Sequence, residues 1–363
     1  ALKDRGLLDV LRSGLKIVPG IRFSLCFFRP ASGIEPKRIA EFEANILSVM
    51  DEVEYSQKHG GRLDVVLFLN GLPIATAELK TDFTQGVQDA VDQYRFDRLP
   101  APKGQAPEPL LSFPGGALVH FAVSDSEVMM TTRLDGTATR FLPFNRGDGG
   151  GKGNPVNPDG HRTAYLWEEI WAPDSLLEIV GRYMVPVRDA KKRLTGAIFP
   201  RFHQLDATRR LRAAVLEEGP GGRYLIQHSA GSGKTNSIAW TAHFLADLHD
   251  AADRKVFDSV LVVSDRNVID AQLQDAIFSF ERTTGVVATI TGEAGSKSAQ
   301  LAEALAGGKK IVVCTIQTFP FALKAVQELA ATSGKRFAVI ADEAHSSQGG
   351  RTAAAMSVTE ASG

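Results

Sequence analysis

Ser229-Ala230-Gly231-Ser232-Gly233-Lys234-Thr235 is the stretch that decides how the second half of this chain folds. It follows the apolar Tyr224-Leu225-Ile226 and opens onto an apolar helical segment, so it reads as strand, glycine-rich turn and helix N-terminus. In that setting backbone N–H groups and the helix end cradle polyphosphate. A bare Gly-Ser-Gly is only a tight turn. The attached Lys-Thr changes that reading, and so does Ile340-Ala341-Asp342-Glu343-Ala344-His345, whose aspartate stands 108 positions after the lysine. This second motif sets two carboxylates at a strand end, one suited to magnesium and the other to positioning water. Together they predict a nucleoside triphosphatase. Gly231, Ser232 and Gly233 form the loop, Lys234 reaches the β- and γ-phosphates, and Thr235 and Asp342 serve Mg2+. Glu343 orients or deprotonates the attacking water. His345 has two readings, a backbone cap or a link between hydrolysis and movement.

Outward from this loop, apolar segments of strand and helix length alternate from 223 to 341. The spacing predicts strands at 223–228, 258–264, 287–291, 310–314 and 336–341, with helices at 234–248, 268–280, 297–306 and 319–330. Such alternation predicts a parallel sheet covered by helices.

The first half has a different rhythm. Ile39, Phe42, Ile46 and Val49 suit one face of a helix over 36–50. Leu63–Leu69 and Pro73–Leu79 read as strands, joined by Asn70-Gly71, the strongest short hairpin signal. A polar helix is expected over 85–98, then strands over 117–123, 127–132 and 139–142. Residues 145–160 are rich in Gly, Pro and Asn and read as a surface loop. An amphipathic helix is expected over 164–183. The boundary between the two halves is placed near 190, giving domains 1–190 and 191–363.

Composition narrows the function classes. With 363 residues, 44% hydrophobic and 23% charged, the chain is that of a globular protein long enough for two cores. The net charge of −1 excludes a global basic field. Locally, residues 188–212 hold eight Lys and Arg against Asp189 and Asp206, which reads either as a phosphate-facing stripe or as a solvated linker. Cys26 and Cys314 both sit in apolar runs, as buried thiols do. No apolar stretch approaches membrane-spanning length, and a cytoplasmic location is expected.

A second candidate site lies across the hairpin. Glu78 and Lys80 are two apart on one strand, hence on one face, and Asp64 opens the neighbouring strand. Two carboxylates can hold a divalent ion that polarises phosphate, and the lysine can orient or activate water. These charges interrupt otherwise apolar strands, where burying them unpaired would cost several kcal/mol. The pattern is that of PD-(D/E)xK nucleases.

The wording around these motifs resembles a known family. Motif 229–235 is similar to motif I of superfamily 2 helicases and translocases, with His228 at the relaxed first glycine position. Phe202-His203-Gln204 resembles the upstream segment whose glutamine, here Gln204, reads the adenine edge. Val262-Val263-Ser264-Asp265-Arg266 with Gln272, and Cys314-Thr315-Ile316-Gln317-Thr318-Phe319, resemble the DNA-backbone motifs. The stretch 63–80, with Tyr165-Leu166-Trp167-Glu168-Glu169-Ile170-Trp171, closely resembles the restriction subunit of type I restriction–modification enzymes.

That resemblance implies an α/β PD-(D/E)xK nuclease domain followed by the first RecA-like, P-loop ATPase domain of a translocase. It implies ATP and Mg2+ as cofactors, and double-stranded DNA and the methylation and specificity subunits as partners. The second RecA-like lobe, with its arginine, would lie outside these 363 residues. The family's Gln-x-x-x-Tyr after the lysine is not matched, because Ala90 stands four before Tyr94. Gln88 and Gln93 are the nearby candidates, and Tyr94 could take part of that role. Glu41 or Glu43 could complete the acidic set. A nuclease–helicase of another defence or repair system, and a non-catalytic DNA-binding or assembly module, are the competing readings.

Overall fold

The computed structural model describes residues 1–17, 19–56, 58–229, 231–264, 271–279, 285–290, 297–316 and 334–342. The chain divides into two compact units, Ala1–His203 and Gln204–Gly363. The division falls inside the helix Phe202–Glu218 and not at 190.

The first unit is built on a six-stranded mixed sheet. Two short strands, β1 (Leu15–Ile17) and β2 (Ile21–Phe23), form a separate hairpin ahead of it. The sheet itself comprises β3 (Leu47–Glu54), β4 (Arg62–Leu69), β5 (Leu72–Leu79), β6 (Val119–Val123), β7 (Val128–Thr131) and β8 (Leu142–Pro143), in that spatial order. Only β5 and β6 run parallel; every other neighbouring pair is antiparallel. The parallel pair requires a crossover, supplied by the helix Val87–Asp92 and its π-helical continuation Gln93–Asp97. Asn70 and Gly71 both take positive φ, 49° and 80°, the conformation that a two-residue hairpin of matching twist demands.

The face of the sheet beneath the crossover is sealed by Leu63, Val66, Ala90, Val91, Tyr94, Leu111 and Ala122. The expected helix over 36–50 is cut short. It runs only from Pro36 to Glu43, and β3 takes the rest. Asn45 breaks it: its side chain accepts from Phe27 N and donates to the carbonyls of Phe27 and Phe42. Of the four apolar residues that suggested one helical face, only Phe42 is buried. The 145–160 loop is closed by the buried Asn154, which binds Arg146 N, Ser126 O and Asn145 Oδ1. A further hairpin, β9 (Val185–Arg188) and β10 (Leu194–Ile198), is tied back to this unit by Thr132 Oγ1 on Ala197 O.

The second unit has a four-stranded parallel sheet. Its strands are β11 (Ser259–Ser264), β12 (Val287–Thr289), β13 (Ile311–Thr315) and β14 (Phe337–Ala341), in the order β12-β13-β11-β14. β11 and β13 are buried along their whole length, as strands covered on both faces must be. Helices Lys234–Ala246, Ala271–Ser279 and Lys297–Ala306 alternate with them, close to the expected ranges. The expected strand at 223–228 does not join the sheet. Its apolar residues are not taken into the core, with Leu225 83% exposed, so no burial favours the pairing. The expected helix 319–330 lies outside the described residues.

The basic stretch 188–212 is divided between the β9–β10 hairpin tip and the helix Phe202–Glu218. At the tip Asp189 accepts from Lys191 N and Arg193 N and pairs with the Arg193 side chain. Arg210 pairs with Asp206, and Arg212 lies over the Phe244 ring. Both cysteines are buried, and burial pushes each thiol up to about 12. Among the described residues no helix is long and apolar enough to cross a membrane.

Candidate nuclease and nucleotide sites

At the C-terminal end of β5 the chain brings together the residues expected to form a nuclease centre. Asp64 near the start of β4 and Glu78 near the end of β5 lie on neighbouring antiparallel strands. Asp64 Oδ2 accepts from Leu79 N at 2.7 Å, which fixes its carboxylate against the β5 end. Glu78 is fully buried, and its two oxygens differ. Oε1 accepts from Arg98 Nε at 2.8 Å, whereas Oε2 is buried without a hydrogen-bond partner. Lys80 follows directly, half-buried, with its backbone N–H on Val123 O.

Burial, and then the nearby charge of Asp64, push the Glu78 carboxyl up to about 7, against the opposing pull of Arg98 and Lys80. A buried carboxylate oxygen with no protein donor is costly to ionise, and a divalent cation would remove that cost. The donor set therefore fits a hard, oxygen-seeking ion. Among the described residues no third His, Cys, Asp or Glu completes a metal-sized cluster. Glu41 lies within reach of Lys37 at 4.0 Å, and Glu43 is exposed.

Behind Glu78, on the same sheet face, stands a buried polar chain. Register pairs Thr76 with His120 and Glu78 with Ala122. Thr76 Oγ1 shares hydrogen bonds with Tyr94 Oη at 2.7 Å and His120 Nδ1 at 2.8 Å. Burial pushes His120 down to about 3, so the ring is neutral, and pushes the Tyr94 hydroxyl well up. Gln88 is exposed and donates to Asp92, one turn along its own helix. Gln93 points a buried Oε1 with no partner from the π-helical turn. Tyr94 and Gln93 thus belong to the buried side of this helix, and Gln88 does not. Arg98, which sequence reading passed over, carried one available signal: it stands four residues after Tyr94, one turn along the same helix.

In the second unit the two halves of the phosphate motif meet. Lys234 Nζ lies 3.0 Å from Asp342 Oδ1. Parallel pairing of β11 with β14 carries Asp342 there, and its backbone N–H donates to Val263 O at 2.9 Å. Gly231 and Gly233 take φ of 72° and 85°, and Gly233 is the N-cap of the helix Lys234–Ala246. Gln204 Nε2 donates to the carbonyls of Ser232 and Gly233 at 3.3 and 2.9 Å. A Cβ at Gly233 would sit 2.5 Å from that nitrogen, so any other residue there strains the backbone and displaces the Gln204 amide. Ser232 is buried, and Thr235 is half-buried in the first helical turn. Glu343, His345, Asp265, Arg266, Ala230 and 317–319 lie outside the described residues. Loop, helix end and paired Lys–Asp fit a nucleotide phosphate.

The molecule is thus an α/β PD-(D/E)xK-type domain followed by a RecA-like P-loop domain. Residues 33–139 match the family of type I restriction enzyme R protein N termini, and residues 203–359 match the SWI2/SNF2 ATPase family. Part of the first unit is thus similar to the N termini of type I restriction enzyme R proteins, and most of the second to SWI2/SNF2 ATPases. It is 25% identical over 329 residues to the type I restriction enzyme HindI endonuclease subunit of Haemophilus influenzae, covering 88% of this chain and 30% of that protein. It is also 24% identical over 254 residues to a Methanocaldococcus jannaschii protein named as the MjaVIIIP type I restriction enzyme endonuclease subunit, covering 66% of this chain and 22% of that one. The chain therefore spans less than a third of the length of either relative.

Proposed function

We propose that this chain supplies the nuclease and the first motor lobe of a type I restriction subunit, coupling ATP-driven DNA translocation to magnesium-dependent double-strand cleavage. The observation that carries the reading is the fully buried Glu78, with one oxygen on Arg98 and the other without a partner beside Asp64. It stands in the same chain as a P-loop lysine paired with the aspartate of a distant strand.

In the nuclease unit Asp64 and Glu78 would hold the divalent ion, and when bound it supplies Lewis acidity at the scissile phosphate. Lys80 orients the attacking water and offsets charge developing on the phosphate. In the ATPase unit Gly231, Ser232, Gly233 and Lys234 hold the ATP phosphates, and Gln204 braces that loop while reading the adenine edge. Thr235 and Asp342 provide the ligands for Mg2+, and Glu343 positions the hydrolytic water. Double-stranded DNA is the track and the nuclease substrate, with methylation and specificity subunits as partners in a cytoplasmic complex.

The test is purification of the complete subunit from its source. Co-purifying DNA methylation and specificity subunits, with plasmid cleavage requiring both ATP and Mg2+, are expected. Cleavage without ATP, in a preparation lacking a methyltransferase, would sink the proposal.

A further inference from the structure

We infer that Arg98 is a positioning residue of the nuclease centre, one that occupies Glu78 Oε1 and so leaves Oε2 as the single Glu78 donor for a divalent ion. The inference rests on the nuclease reading above and adds to it a residue and a regulatory consequence.

Three observations carry it. The Arg98 Nε–H donates to Glu78 Oε1 at 2.8 Å, while Oε2, on the same carboxylate, has no donor. Arg98 is itself partly buried, with its side chain only 14% exposed, so this contact is not a loose surface pair. The guanidinium is also held from behind. It lies over the Tyr55 ring at 5.7 Å, and the Tyr55 hydroxyl donates to Asp97 O at 3.2 Å. The Arg98 backbone closes the π-helical turn through its N–H on Gln93 O. That turn sets the arginine at the end of the crossover that covers the Asp64–Glu78 face.

The consequence is electrostatic. Once Glu78 has lost its proton, above about pH 7, Asp64 and Glu78 bring two negative charges, and Arg98 and Lys80 bring two positive ones. A divalent ion entering such a centre meets a neutral cluster and only one open Glu78 oxygen, so its binding without DNA is weak. A DNA phosphate supplies the missing negative charge. Arg98 thereby makes metal loading depend on DNA, a safeguard for a nuclease that must not cut at random.

The experiment is Mn2+ titration by calorimetry of the 363-residue chain, without DNA, for wild type, R98A, R98K and E78Q. Circular-dichroism melts report folding of each variant. The binding lost in E78Q defines the nuclease centre apart from the nucleotide site. Titrated at about pH 8.5, so that proton competition at Glu78 is relieved, R98A is expected to bind Mn2+ about tenfold more tightly, because a repelling charge is gone and both Glu78 oxygens are freed. R98K, which keeps the charge, is expected to stay near wild type. In the complete subunit R98A is expected to cut DNA more slowly despite its tighter metal, a split that mere loss of structure does not produce. Equal or weaker Mn2+ binding by folded R98A overturns the role of Arg98 alone. Should R98A not fold, R98K decides: Mn2+ binding weaker than wild type overturns the inference. Identical titrations of wild type and E78Q overturn the metal centre itself, and the inference with it.

Discussion

Lys234 and Asp342, far apart in sequence, meet at 3.0 Å across the top of the parallel sheet. Both side chains are partly open to solvent, so the pair adds little to folding, less than about 1 kcal/mol. Its value, on the function proposed above, lies in placing the lysine and the carboxylate proposed to hold magnesium where a triphosphate would separate them. D342N is therefore expected to shift the melting temperature of the chain by no more than a few degrees. The same change should abolish magnesium-dependent ATP hydrolysis in the complete subunit. A calorimetric melt and a phosphate-release assay check both halves, and unimpaired hydrolysis would remove Asp342 from the site.

Gln204 binds the loop from the opposite direction. Its amide nitrogen satisfies the carbonyls of Ser232 and Gly233, and the residue is almost wholly buried. Q204A removes that donor, at a cost of about 0.5–1.5 kcal/mol, since Gly233 O keeps its bond from Asn236 N. The loop should also lose its preset shape, and a fluorescent ATP analogue should bind at least several-fold more weakly. G233A is expected to be worse. It forces an alanine into φ of 85° and drives its Cβ against the Gln204 amide. Urea unfolding beside nucleotide titration separates the two effects; wild-type nucleotide affinity in Q204A would limit the glutamine to a structural brace.

The Glu78 carboxyl makes the nuclease unit pH-sensitive in a known direction. Burial raises it from 4.5 to about 7, so between those values the folded chain holds a proton that the unfolded chain has released. The associated stability is complete below pH 4.5 and is lost as pH rises through 7. The loss amounts to on the order of 3 kcal/mol. E78Q cannot titrate and should not show it. Unfolding of wild type and E78Q at pH 5 and pH 8 isolates the difference: the metal-free wild type should lose ground to E78Q on going to pH 8. A difference that stays flat with pH would mean that Glu78 is ionised throughout.

Much of this was legible because some signals are local and chemically costly to misread. Asn70-Gly71 dictates a hairpin through its two positive φ angles, and that hairpin brings Glu78 of β5 beside Asp64 of β4. Gly233 was legible for a similar reason, since its left-handed backbone favours glycine. What escaped reading depends on three-dimensional context. Ile39, Phe42, Ile46 and Val49 mimic a helical face, yet a single Asn45 turns the chain into an edge strand where Val49 is exposed. Arg98 looked like any surface charge on a polar helix. Nothing local shows that Glu78 would be buried with one oxygen waiting for it. Tyr224-Leu225-Ile226 has the composition of a strand but finds no neighbour in the sheet.

The two sites belong to different units, and that separation makes a coupled restriction motor distinguishable from two enzymes that merely share a chain. K80A or E78Q should stop cleavage while leaving ATP hydrolysis near wild type, because both residues belong to the first unit and the phosphate loop to the second. Lys234→Ala removes the cation that pairs with Asp342 and would hold the phosphates. Glu343→Gln keeps the shape of the residue following that aspartate but removes its base, so ATP should bind and persist. Both motor variants should stall translocation, with losses on the order of a thousandfold in hydrolysis, as expected when charge stabilisation or water positioning fails in phosphoryl transfer. If cutting requires a moving motor that is brought to a halt, both should also abolish cleavage at distant positions, although Asp64, Glu78 and Lys80 are intact. Nuclease variants would then pump without cutting, and motor variants would do neither. A triplex-displacement assay for translocation, run beside plasmid cleavage on the same complexes, reads both properties. Normal cleavage by E343Q in the absence of translocation would show that the nuclease acts independently of the motor.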